Sequence, residues 1–391
     1  MDYKGLRVLI LEGYARQCLP FMESFKKHGC EVTVLCNSRL DLAYASRFPD
    51  HKIIGICDPE KFRESEKYIC KLVKTGKYDL VVPMVDFSAR ILSSNKVELS
   101  KYAHIASNDF DVFDKAQDKL EVMQVCMENQ IPCPRTLIEV NSFKDVVEAQ
   151  LTFPVVVKPR RGFGARGFHC FHSEQEFVTF AEKRNLSQYV IQEYIPQGNM
   201  NLSANLFIDN NGLVKSTFVY ASRRWFPLNG GTGTFNELVD CPDVEGVCRK
   251  LASLMNLRGC IGIDLIHDPR DGIAKVIEIN PRILACAKIG FAAGIDLAKQ
   301  ILQKEFGQEV SLYADYDKKV RIRMSHTDLL WFIKSPNRFK AEPSFFSGRN
   351  VKDQIFSWKD PLPWFLYFLQ AILRYKSEMN DRQGKQGWFS E

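Results

Sequence analysis

The sequence predicts a mixed α/β and α+β protein. An open parallel-sheet domain comes first, then two units built on antiparallel sheets, then a helical C-terminal appendage. Three observations carry this. Residues 7–11 and 31–35 are continuous apolar β-type runs flanking a helical stretch, as in parallel strands covered on both faces. Two turns rich in Asp, Asn and Gly, at 209–212 and 268–272, separate long strand-like blocks and so mark hairpins. From residue 311 onward the chain turns aromatic and basic.

The elements follow in order. After the strand at 7–11, Leu19, Met22 and Phe25 recur at helical spacing and stop at Gly29; residues 31–35 return as a second strand, completing a βαβ unit. A charged helical stretch at 59–76 leads to a strand at 80–84, so residues 1–112 form one α/β domain whose loops present ligand contacts at the strand C-termini. The turn Leu11-Glu12-Gly13-Tyr14-Ala15 lacks G-x-G-x-x-G, which removes the argument for a dinucleotide site. A helix over 114–129 ends where Pro132 and Pro134 forbid its continuation. Residues 154–194 read as strand, glycine-rich loop, strand, helix and strand, and the blocks 203–220 and 259–280 read as an antiparallel sheet. The boundaries are therefore 1–112, 113–194, 195–310 and 311–391.

Composition narrows the function. A balance of 53 basic to 47 acidic residues gives a net charge of +6, and no nucleic-acid module is present, so nucleic acid is not the expected partner. Twelve cysteines without a C-x-x-C pair fit neither a zinc site nor a disulfide framework and point to a reducing cytoplasm. No apolar run approaches the roughly 20 residues that span a bilayer. Residues 361–375 place Phe365, Phe368, Leu369 and Leu373 at helical spacing after two prolines, with Arg374 and Lys376 at the edge. That helix either packs on the core or lies on a membrane surface.

The chemistry concentrates in Glu278-Ile279-Asn280-Pro281-Arg282 at a strand end, preceded by Asp264 on the neighbouring strand. Glu278 and Asn280, two apart, share a face. If His267 and Ile273 flank the turn as a pair, Asp264 falls opposite Val276 and diagonal to Glu278. Two carboxylates and an amide oxygen are the hard donors that Mg²⁺ takes, and Arg282 beside them suits a phosphate. The other reading is an edge strand ending on a solvated face. Lys158 ends a second strand and opens a loop with Gly162, Gly164 and Gly167, whose backbone N–H groups could cradle phosphate, or which could form a plain hairpin. Its spacing is not that of a Walker A loop.

Taken together and in this order, residues 5–310 resemble the ATP-grasp superfamily of carboxylate–amine ligases, including the ATP-grasp domains of carbamoyl phosphate synthase large chains. The resemblance implies a pre-ATP-grasp domain, a two-lobed ATP-grasp fold, and ATP with Mg²⁺ or Mn²⁺ as cofactors. Lys119, ahead of Ile131-Pro132, and Lys158 look like the two phosphate lysines, and the 162–167 loop like the flexible cover. Gln192, Glu193, Tyr194 and Ile195 look like the hinge that holds adenine, and Asn201 stands where an acidic ribose ligand is usual. Asp264, Glu278 and Asn280 look like the metal ligands, Arg282 and Arg224 like the catalytic arginines around the transferring phosphoryl group, and Asp86 occupies a position that often meets the acceptor. For Asp86 a helix N-cap is the competing role.

The implied reaction is attack of a substrate carboxylate on the γ-phosphate of ATP, followed by displacement of phosphate by an amine, with alignment and charge neutralisation as the means. Small carboxylic acids and amines are then the partners, and a surface-glycan or peptide-like product suits the tail. Two alternatives remain: a bicarbonate-using enzyme of the carbamoyl-phosphate or carboxylase type, and a nucleotide sensor without turnover.

Overall fold

The structure is a computed structural model that describes residues 2–138, 140, 143–149, 151–162, 167–196, 200–228 and 232–370. Five parallel strands open the chain: β1 (Arg7–Ile10), β2 (Glu31–Cys36), β3 (His51–Ile54), β4 (Leu80–Val82) and β5 (His104–Ile105), in the order β3-β2-β1-β4-β5. The apolar runs β1, β2 and β4 are legible in sequence. β3 is not, because it is a mostly exposed edge strand, and β5 is only two residues long. Strand order reverses beside β1 and β4, so the loops leaving these two strands splay apart into the crevice where such sheets bind ligands.

A four-stranded sheet follows, built from β6 (Thr136–Leu137), β7 (Val155–Pro159), β8 (His169–Phe171) and β9 (Tyr189–Glu193) in the order β6-β9-β7-β8. The third sheet holds β10 (Asn201–Ile208), β11 (Val214–Phe226), β12 (Thr232–Val239), β13 (Gly259–His267), β14 (Ala274–Asn280), β15 (Arg321–Arg323) and β16 (Val351–Asp353). Its order is β14-β13-β10-β11-β12-β15-β16, and both expected hairpins form, β10–β11 and β13–β14.

One expectation gains detail and one changes. The residues after 310 hold the expected helix, at Ser325–Lys334 and 362–370, and also strand: β15 pairs with β12 and carries β16 as a further edge, so this region extends the large sheet. The single helix expected over 114–129 is two helices, Phe110–Gln117 and Lys119–Glu128, broken at Asp118. Asp118 adopts extended backbone and accepts Leu120 N–H at 3.0 Å, an N-cap that starts the second helix at Lys119. Both helices pack under the large sheet: Ala116, Val122, Met123 and Cys126 share one core with Leu202, Leu206, Ile263 and Leu265.

The other face of the large sheet meets the N-terminal domain. Phe21 packs edge-on against Phe291 at 4.9 Å between ring centres, within a core that runs from β1 and β2 through Leu284, Ile289 and Ile301. Ser24 and His28 close this junction on the Asp296 carboxylate at 2.6 and 2.8 Å. The strand-end loops of the first sheet are thereby held against the segment that follows β14.

Candidate functional site

The strand pair β13–β14 sets the site. Asp264 lies directly opposite Glu278, not diagonal to it as the turn arithmetic suggests. Two facts account for the difference: His267 pairs with Ala274, and Ile277 bulges out between Glu278 and Val276. The bulge has two effects on chemistry. It sets the two carboxylates side by side, and it releases the Ile277 carbonyl, which accepts the Lys158 ammonium at 3.1 Å.

Each group in this cluster has a defined partner. Asp264 accepts the Ser203 hydroxyl from β10 and the Asn280 amide at 2.9 Å, while the Asn280 oxygen accepts Arg282 Nη2 at 3.0 Å. Burial, and then the like charge of Glu278, push the Asp264 carboxyl up to about 6. Lys119 stands 3.3 Å from Glu278 and donates to the Gly162 carbonyl at 2.9 Å. Lys158 is drawn down to about 8, first by burial and further by neighbouring Lys119, against the pull of Glu278.

These residues fit a hard divalent cation. Two facing carboxylates, one of them with its proton affinity raised by burial and by the other's like charge, gain from a cation between them, and the donors are all oxygen. Among the described residues no third His, Cys, Asp or Glu joins them, so Asn280 or the ligand itself must complete a coordination shell. Lys158 likewise fits a phosphate: it is a buried ammonium whose hydrogen-bond acceptor here is a neutral carbonyl.

The other expected residues divide. Asn201 precedes Ser203 by two on β10 and so shares its face, toward Asp264. Gln192 is buried and donates to Thr136 Oγ1 at 2.7 Å, and Tyr194 and Ile195 form the connector leaving β9. Glu193 is not a free adenine ligand: its carboxylate accepts Arg135 N–H at 2.9 Å and Arg270 Nη2 at 2.8 Å. Gly162 and Gly167, at φ of +151° and +71°, bound the glycine loop. Gly164 lies outside the described residues, as do residues 163–166 and 229–231 and the tail residues Leu373, Arg374 and Lys376.

Arg224 is a correction. It does not join the cluster; its guanidinium is 2% exposed, forms a two-point ion pair with Asp328 at 2.8 and 2.9 Å, and donates to the Pro343 carbonyl at 2.7 Å. Phe235 and Trp331 stack on it at 4.1 and 5.1 Å. A register shift in β11 between Ser222 and Arg224, which alternation along the strand does not anticipate, accompanies this placement. Arg282 does sit at the cluster, where the Asp86 carboxylate holds it at 2.7 Å. Asp86 also accepts Gln117 at 3.2 Å, so it bridges the N-terminal domain to β14 and does not cap its own helix.

Several participants escaped the sequence reading. Ser203 could have been found from its position two residues after Asn201 on a strand facing Asp264. Glu12 is fully buried at the end of β1 with φ +59°; its carboxylate accepts the Met84 and Ser88 N–H groups and the Ser88 hydroxyl, and burial raises it to about 7. It ties β1 to the start of the helix that carries Asp86. Cys286 Sγ accepts the Asn236 and Gln354 amides at 3.5 Å each, and Gln354 comes from the end of β16, a contribution of the C-terminal region that no local motif signals.

Residues 116–286 match the model of an ATP-grasp domain. The chain is 25% identical over 252 residues to D-aspartate ligase of Enterococcus faecium, covering 59% of each, and 21% identical over 267 residues to the carbamoyl phosphate synthase large chain of Clostridium botulinum, covering 63% of this chain and 25% of that one. The chain thus spans about three fifths of the former and a quarter of the latter. The biotin carboxylase domain of Hydrogenobacter thermophilus 2-oxoglutarate carboxylase, solved with MgADP and bicarbonate, superposes with a TM-score of 0.62 at 17% identity, covering 78% of this chain and 71% of that one. At that identity the likeness is one of fold.

Proposed function

We propose, from the match of residues 116–286 to the model of an ATP-grasp domain, that the protein is an ATP- and Mg²⁺-dependent ligase that activates a substrate carboxylate as an acyl phosphate and joins it to an amine. The observation that carries this reading is the Asp264/Glu278 pair, set face to face by the Ile277 bulge with Lys119 and Lys158 against it. Mg²⁺, when bound, supplies charge neutralisation for the phosphoryl group being transferred.

The chain's own residues do the rest. Asp264, Glu278 and Asn280 hold the cation; Ser203 orients Asp264, and Arg282 orients Asn280. Lys119 and Lys158 meet phosphate oxygens from the N-terminus of one helix and the end of β7. Asn201 faces the ribose, and the backbone of Tyr194 and Ile195 faces adenine. Asp86 fixes Arg282 at the boundary where the first sheet's crevice opens, a contact that supports binding of the acid and amine between the N-terminal domain and β14. No side-chain nucleophile is required, because the attacking atoms belong to the substrates. The same reading extends to an acid and an amine of a surface glycan or a peptide-like metabolite, on the model of the ligases it resembles.

The test is release of ADP and phosphate from ATP in pools of amino acids, other small acids and amines, beside the Glu278→Gln protein. Release that requires one acid and one amine, and that the substitution lowers by at least about 100-fold, supports the ligase. Release that needs bicarbonate alone replaces it with the carboxylase-type reaction, and Mg-ATP binding without release in any pool replaces it with a sensor.

A further inference from the structure

The C-terminal helical residues 362–370 both pack on the core and leave an apolar surface in solvent, so the two readings of this segment are not alternatives. Trp364 and Tyr367 turn inward, 4.6 and 5.3 Å from the buried His326 ring. Leu362, Phe365 and Leu369 follow helical spacing on the outward side and are 61%, 57% and 49% exposed. Among the described residues, five of the six exposed Phe and Trp side chains lie between 339 and 368. Scattered apolar residues are ordinary; a concentration of this kind marks a contact surface.

The surface is continuous. On helix Ser325–Lys334, Leu329 and Ile333 lie three and seven residues after His326, on the same face, and are exposed. Because Trp364, Tyr367 and Phe368 cover His326, Leu329 and Ile333 extend the patch beside them. Next to these, Phe332 holds Phe339 and Phe346, each at 5.5 Å and both exposed.

Charge selects the occupant. Lys334, Arg338, Lys340 and Arg349 lie in the same stretch of chain as the exposed aromatic residues, Arg338 stacks on Phe339 at 5.3 Å, and none of the four enters an ion pair among the described residues. The acidic residues of this region are mostly turned inward: Asp353 accepts Ser325 N–H, and Asp360 is buried and accepts the Ser46 hydroxyl. We propose that this face docks on an anionic lipid bilayer, with Leu362, Phe365 and Leu369 entering the headgroup boundary and the four cations meeting lipid phosphates. A second copy of the chain fits less well, since a two-fold contact would set these cations against their own copies. Among the described residues no helix is long and apolar enough to cross the membrane, so the contact is one of surface.

The proposal goes beyond the ligase reading and is tested apart from it, by vesicle co-sedimentation of the full chain. Phosphatidylcholine vesicles containing phosphatidylglycerol are expected to bind at least about tenfold more tightly than phosphatidylcholine alone, with binding lost as salt rises. Phe365→Asp/Leu369→Asp should remove binding, and Lys334→Glu/Lys340→Glu, which leaves the apolar stripe and the Arg338–Phe339 stacking in place, should remove the preference for anionic lipid. Mg-ATP affinity should be unchanged in both. Equal binding to both vesicle types, or no vesicle binding with a concentration-dependent dimer that the first variant disrupts, would overturn the proposal.

Discussion

Replacing Asp264 with Asn should abolish Mg²⁺-dependent activity while making the metal-free protein more stable. Asp264 is pushed from 3.8 to about 6, so holding its charge in the folded state costs, at about 1.4 kcal/mol per pH unit, on the order of 3 kcal/mol at pH 8. Asparagine removes that cost and keeps an oxygen for Ser203, but it gives up the acceptor that Asn280 reaches at 2.9 Å, worth about 1 kcal/mol. The net gain is about 2 kcal/mol, a rise of a few degrees in melting temperature in EDTA at pH 8. The sign with pH follows from the raised value. The folded protein holds this proton more tightly than the unfolded chain, so the wild type recovers stability as pH falls through 6 toward 4, and the gain shrinks to below about 1 kcal/mol at pH 5. With Mg-ATP present the order reverses, because only the wild type gains by ligand binding. A variant that melts below the wild type in EDTA at pH 8, or a gain that is the same at pH 5, would refute the reasoning.

Two further outcomes follow from the same geometry. Because Lys158 is drawn down to about 8, its ammonium is lost between pH 7 and 9, and Mg-ATP affinity measured by calorimetry should weaken about tenfold over that range, with Lys158→Met weaker throughout and flat. Arg224→Met should lower stability by about 1–3 kcal/mol in urea unfolding, because it removes the two-point partner of the buried Asp328 carboxylate and leaves it Arg323 at 3.1 Å and the Thr234 hydroxyl at 2.9 Å, and should leave the turnover of folded protein nearly unchanged; intact stability with a 100-fold loss of turnover would return Arg224 to the phosphates.

How much of this was legible depends on whether the signal was local. Apolar runs such as β1 and β2, and the turns at 209–212 and 268–272, are written in short stretches, and so the parallel sheet, both hairpins and the pairing of Asp264 with Glu278 and Asn280 could be read. The exact register could not, because the Ile277 bulge depends on how β14 meets β13 and the Lys158 ammonium. Asp118 looked like helix interior because the charges that hold it at the break, Arg160 and Arg161, come from the end of β7 and the loop after it, 42 and more positions away. Arg224 and Glu193 looked available because residue type shows a charge but not its counter-charge: Asp328 lies 104 positions from Arg224, and Arg270 lies 77 from Glu193. Gln354 reaches Cys286 only because β16 joins the large sheet through β15, a pairing with no local trace.

The central claim is that the Asp264/Glu278 cluster makes an acyl phosphate. Hydroxylamine traps such an intermediate as a hydroxamate whatever the natural amine is, so the direct measurement is acid-dependent hydroxamate formation with ATP and Mg²⁺ across a pool of carboxylic acids. The account predicts hydroxamate and ADP in equal amounts with at least one acid, none without Mg²⁺, and none from Glu278→Gln. ADP formed with no hydroxamate from any acid, or hydroxamate that persists in Glu278→Gln, would contradict it.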